Sequence, residues 1–287
     1  MLNRIFSILP AGIVLFLFAS CGNGSNDQQV SPADSSTSSS AKDTGNVDEL
    51  TQFKYDKLIS NVPIPFDILR AHAEVPLTYN SAAVNPTSNL PYYYSTSSKA
   101  LNLGIYGGDL GYSITYEKFE DMGSYLKCAK KLADDLGIPL AFDQRALGTY
   151  KKYGTNKDSL EKIVFNSYSE VDRTLKSNER IGLASLVVTG GWLEGLYATL
   201  KTLDAAPRSD KTKNIYKKIW EQKNHLDMII GLLEQFKDEI IYVNLVVDLH
   251  GIKSIYDTLS VKSEINETEL AALTQKVSEV RAKIISH

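Results

Sequence analysis

Ile181-Gly182-Leu183-Ala184-Ser185-Leu186-Val187-Val188-Thr189-Gly190-Gly191-Trp192-Leu193-Glu194-Gly195-Leu196-Tyr197 is the stretch on which the reading of the fold turns. It lies within a helical segment expected at about residues 179–204. Ile181–Val188 leaves hardly any polar face, and a helix that is apolar all round must be buried. It is also too short and too interrupted by Gly182 and Ser185 to span a bilayer, which takes roughly 20 apolar residues. A central helix is therefore expected, with amphipathic helices packed around it.

Working outward, the flanking sequence supplies those helices. Toward the N-terminus, Leu160, Val164, Tyr168, Val171 and Leu175 keep helical spacing, and Asp158 with Glu161 forms a capping-box start. Further upstream, Leu110, Ile114, Phe119, Met122, Leu126, Ala129, Leu132 and Leu136 predict a helix over 109–136, stopped by Gly137 and Pro139. Toward the C-terminus, helices are expected over 209–236, 239–259 and 267–286, the last begun by Asn266 with Glu269 at capping-box spacing. A short helix fits 66–74, and the Asn- and Pro-containing 80–89 reads as a surface loop. Short β-like runs such as Leu103–Tyr106 do not alternate. The fold class is all-α: one domain over residues 50–287, an irregular multi-helix bundle or helical-hairpin array of six to seven principal helices.

Two glycine-rich segments depart from ordinary helix composition. Gly104, Gly107, Gly108 and Gly111 would each cost about 1 kcal/mol relative to Ala inside a helix, so they are expected to permit a sharp turn or a close backbone approach, with Asp109 placed to cap the following helix. Gly191 and Gly195, one turn apart, leave room for a neighbouring helix, with Trp192 filling the space beside them. If a cleft exists, it is expected where these segments meet. Tyr106, Asp109, Tyr112, Tyr116, Trp192 and Glu194 are then the candidate ligand-binding residues, the rings offering apolar bodies with polar tips. The same rings also suit helix packing.

The sequence holds no recognisable catalytic kit. His72, His225, His250 and His287 are scattered without metal-ligand spacing, so no metal site is expected. There is no nucleophile elbow, and Cys128 has no neighbouring histidine and reads as a buried helix residue. No cofactor is expected. The formal net charge of −3 excludes the basic footprint of a nucleic-acid binder. His250 is expected to be partly buried in its helix.

The N-terminus has a different character. Arg4 supplies positive charge, an apolar run follows to Phe18, and Phe18-Ala19-Ser20-Cys21 leads through small residues to a cysteine. This is signal-peptide anatomy over residues 1–20, and its last four residues resemble the lipobox of bacterial lipoproteins. The resemblance implies lipidation of Cys21 and cleavage before it. Residues 21–49 then form a Ser-rich tether with almost no apolar side chains, too polar to offset its ordering entropy. The glycine segments also resemble those of helical lipoproteins of Bacteroidota-type bacteria, a likeness that carries no activity with it.

Together these readings lead to an expected envelope lipoprotein, held by its lipid anchor to a membrane, with the outer membrane as the expected one. Its helical domain would bind a partner protein of the envelope or a small molecule without catalysis. The alternative is an envelope hydrolase using carboxylates in a cleft near Glu117 and Glu194.

Overall fold

Fifteen consecutive residues of one helix, Ala100–Ile114, are buried on every side. The computed structural model describes residues 66–75, 77–138, 156–177, 180–204, 208–259 and 265–286, with Asp56 and Ala206. Their helices belong to one compact unit, Asn46–His287. The expected signal peptide, Cys21 and the expected tether over residues 21–49 lie outside the described residues.

Seven long helices follow the short α1 (Phe66–Arg70). They are α2 (Thr96–Thr115), α3 (Phe119–Asp135), α4 (Lys157–Ser177) and α5 (Ile181–Leu203), then α6 (Lys213–Leu233), α7 (Ile240–Thr258) and α8 (Glu267–Ile285). With α1 and several 3-10 turns added, the described residues hold more helices than the six to seven expected, and no strand. The class is all-α, an irregular helical bundle.

Two of these helices form its axis. α2 and α5 make the most extensive pairing in the molecule, and they run in the same direction. α3 and α4 pack beside them, while α6, α7 and α8 continue as successive neighbours. α5 is long and apolar enough to cross a membrane by length and composition alone, yet 78% of that apolar window is buried inside the bundle. It is the core helix that its sequence suggested.

The glycines of α2 serve a close backbone approach, one of the two alternatives expected, and correct the other together with the cap. They do not form a turn, and Asp109 caps nothing: both lie in the middle of α2, whose N-cap is Ser95, accepting from the Ser98 amide. The reason is tertiary. A Cβ on Gly104 would stand 2.0 Å from the Val187 carbonyl oxygen, and one on Gly190 would stand 2.0 Å from that of Leu101. Gly108 in turn admits the Glu194 side chain, whose Cβ would be 2.8 Å from an added methyl group. The helix-propensity cost of glycine is outweighed because two backbones approach where no side chain fits.

The run expected as one helix over 109–136 is two. α2 ends in a Schellman turn, with the Glu117 amide donating to the Ile114 carbonyl and the Lys118 amide to that of Ser113. α3 ends in the same motif, from Gly137 to Asp134 and from Ile138 to Ala133. The left-handed position is filled by Gly137 (φ 72°) in one and by Glu117 (φ 56°) in the other. A side chain in that conformation is sterically disfavoured. Glu117→Gly should therefore raise stability by about 0.5–1 kcal/mol, the strain relief exceeding the added unfolded-state entropy. A lower denaturation midpoint would show that Glu117 makes a compensating contact.

Smaller corrections have local causes. Asn156, not Asp158, caps α4, its side chain accepting from the Ser159 amide. His250 is exposed on α7, 3.8 Å from Glu234. Residues 80–89 are not only a surface loop, since Ala83 and Asn85 are fully buried against the helices. The expected Asn266–Glu269 capping box is present at α8, the short helix over 66–74 is α1 followed by a 3-10 turn, and Cys128 is buried in α3.

Candidate functional site

Where the two glycine segments meet, the bundle is closed around buried polar groups. Glu194 on α5 is fully buried and accepts from Arg281 of α8 through Nε at 2.5 Å and Nη2 at 2.6 Å. This bidentate fork is the strong form of a charge-assisted pair. The guanidinium also lies over the Tyr197 ring, 4.1 Å from its centre. Burial opposes the arginine's charge, but the Glu194 carboxylate more than offsets it and holds Arg281 protonated.

Asp109 adds a second buried acid to one base. Its Oδ2 accepts from the Asn85 amide at 3.2 Å, and its Oδ1 has no partner of its own. Burial, then the charge of Glu194, push the Asp109 carboxyl well above the usual carboxylate range. A proton on Asp109 leaves one anion and one cation in the interior. This is the cheapest charge state for a buried cluster.

Around this trio runs an amide chain. Asn85 donates to the Tyr93 hydroxyl at 2.9 Å and accepts from Asn89. Asn102 on α2 donates to the carbonyls of Ser98 and Ile284, fastening α8 to α2. Tyr106 is fully buried, donates to the Pro86 carbonyl at 3.1 Å and stacks with Tyr125.

A second cluster sits further along α2 and centres on a residue that the sequence did not single out. His72 is 2% exposed, with Nε2 3.1 Å from the Thr199 hydroxyl and Nδ1 2.9 Å from the Tyr116 hydroxyl. Thr199 gives its own proton to the Gly195 carbonyl, so Nε2 must carry the hydrogen and Nδ1 must accept from Tyr116. Tyr112 donates to Thr202, whose proton goes to Ala198, and accepts from the Asn80 amide. Tyr79 stacks on Tyr112, their ring centres 5.1 Å apart, and donates to Asp121.

Burial lowers the His72 pKa to about 4 from its usual 6.5. The unfolded chain takes up a proton as the pH falls through 6.5, whereas the folded protein does not until about 4. His72 therefore removes stability as pH falls across that window, by about 1.4 kcal/mol per pH unit at its steepest. Asp109, raised rather than lowered, acts with the opposite sign and costs stability as pH rises above the usual carboxylate range. His72→Asn should flatten the acid limb of a stability–pH profile relative to the parent. An unchanged slope between pH 6 and 4.5 would place the titrating group elsewhere.

The structure thus brings Asp109 and Glu194 together, with Tyr106 beside them, while Tyr112 and Tyr116 belong to the histidine cluster. Trp192 faces α6, 3% exposed, its indole donating to Gln222 at 3.0 Å. Glu117 and Glu194 do not converge. Glu117 is exposed at the far end of α2, nine residues beyond the Gly108 that covers Glu194, or roughly 13 Å along the helix. Arg281 was legible in principle. It follows Leu273 and Val277 at four-residue steps on the apolar face of α8, where a base needs a buried partner.

An open concavity among the described residues lies elsewhere. A groove of about 530 Å³ is bounded by Ser95 and Ser98 at the start of α2, by α7, and by Lys283, Ile284 and Ser286 at the end of α8. Leu101 and Leu245 give it apolar lining. Along α7 beside it, Ile240, Val243 and Val247 are 72%, 37% and 65% exposed. That spacing places the three on one face of the helix. Tyr94, 76% exposed, directly precedes Ser95. Of these four exposed apolar side chains, Val247 lines the groove itself, and Tyr94 adjoins its lining residue Ser95 in sequence. Among those residues no group of three metal-ligating side chains gathers.

No protein-family model matches the chain, and neither a curated protein nor a solved structure is detectably similar to it.

Proposed function

We propose that this chain is a lipid-anchored lipoprotein of the bacterial envelope whose helical domain binds a partner without catalysing a reaction. The N-terminal segment ending at Cys21 supports the anchor. The observation that carries the binding reading is the contrast between interior and surface. The buried acids are enclosed, Glu194 held by a base and Asp109 by a backbone amide, while an exposed aliphatic stripe on α7 reaches an open groove at Val247. Contiguous exposed apolar patches of this kind mark interaction sites on monomers.

Two measurements test the two halves. Cys21→Ser should leave unprocessed precursor or release the protein from membranes, and normal mature mass in the membrane fraction would defeat the anchor. Affinity purification of the tagged protein from its own envelope should recover a partner that Val243→Asp with Val247→Asp no longer retains. Recovery unaffected by both substitutions would remove the groove from the binding reading.

A further inference from the structure

Val247 belongs both to the exposed stripe of α7 and to the lining of the groove, and so joins the two into one face. We infer that this face pairs with the same face of a second copy of the chain, the aliphatic ridge of each seating in the groove of the other. The inference rests on the binding reading above and names its partner.

Three observations select a second copy. The first is shape: a two-fold interface must be self-complementary, and a convex ridge adjoining a concave groove on one face meets that requirement. The second is area. Tyr94, Ile240, Val243 and Val247 together expose on the order of 500 Å² of largely apolar surface. An interface about three-fifths apolar would then cover about 800 Å² per partner, the amount a stable dimer buries. The third is charge. A two-fold brings identical groups face to face, so a net charge in the patch would oppose pairing. Among the described residues, the only acid and base lining the groove, Asp248 and Lys283, are bound to each other. The remaining polar lining, from Ser95, Ser98, Asn244 and Ser286, is neutral and can hydrogen-bond across the seam. Anchoring both copies on one membrane would raise their effective concentration further.

The test is sedimentation equilibrium of the full chain in density-matched detergent, up to about 100 µM protein, where even a weak dimer is populated. The parent should sediment as two chains. Val243→Asp with Val247→Asp should shift it to one chain, as should Asn244→Arg, which sets like charges facing each other without touching the apolar core. Either should raise the dissociation constant by at least about tenfold, with an unchanged helical signal confirming the fold. A dimer indifferent to both variants would overturn the assignment, because another surface would then hold it. A monomeric parent whose captured envelope partner is still lost in the same variants would overturn self-pairing and leave the binding reading standing. A monomeric parent with no patch-dependent capture would defeat both.

Discussion

Arg281→Met should destabilise the domain by about 3–5 kcal/mol, because it leaves the Glu194 carboxylate fully buried without its only base. The loss is not one of packing, since methionine keeps most of the arginine stem's volume. It comes from an uncompensated charge held beside Asp109, itself buried and drawn toward the protonated form by the same carboxylate. The double replacement Glu194→Met with Arg281→Met should recover most of that loss. Methionine is unbranched at Cγ and still fits against Gly108, and removing both charges removes the desolvation cost together with the attraction. Urea denaturation of the parent, the two single variants and the double variant measures the cycle. If the double variant is as unstable as Arg281→Met alone, the trio contributes something other than charge balance, and its assignment as structural would have to be abandoned.

Gly190→Ala should cost about 3 kcal/mol or more, near or above the top of the usual range for overpacking. A single methyl group would stand 2.0 Å from the Leu101 carbonyl oxygen. The neighbour is backbone, so no rotamer change relieves the clash, and α2 and α5 would have to move apart along their whole contact. Gly231→Ala is the internal control. Nothing lies within 4 Å of a methyl group there, and alanine is the better helix former, so stability should rise slightly. Equal midpoints for the parent and Gly190→Ala would mean that the two helices can separate freely, which their extensive pairing argues against.

Sequence alone determined the helical class, the central place of α5 and most helix limits downstream of it. Each of these follows from local chemistry. An all-apolar circumference has nowhere to go but inside, and Asn266 with Glu269 satisfies the amides at the start of α8 without reference to the rest of the chain. The dense glycines of α2 were legible as an anomaly but not as a helix, because the compensation lies in a partner 83 to 89 residues away, with Gly104 facing Val187 and Gly190 facing Leu101. Glu117 hid a helix end for the same kind of reason. Its position marks a Schellman turn only once the amides of Glu117 and Lys118 are seen to double back.

The candidate residues divide along the same line. That Asp109 and Glu194 are special could be suspected from their glycine neighbours, but that they share one arginine could not. Arg281 lies 87 residues from Glu194, and it is the antiparallel return of α8 onto α2 and α5 that joins them. His72 gave no local signal at all, since its environment is assembled from Tyr116 and Thr199 on two other helices. The exposed stripe on α7 was equally hidden. Ile240, Val243 and Val247 read as core positions in an apolar helix, and only the packing of α6 and α8 against the other faces of α7 leaves them facing solvent. Periodicity fixes which residues share a helix face, but the order in which helices stack decides which face meets water, and that order is set by contacts distant in sequence.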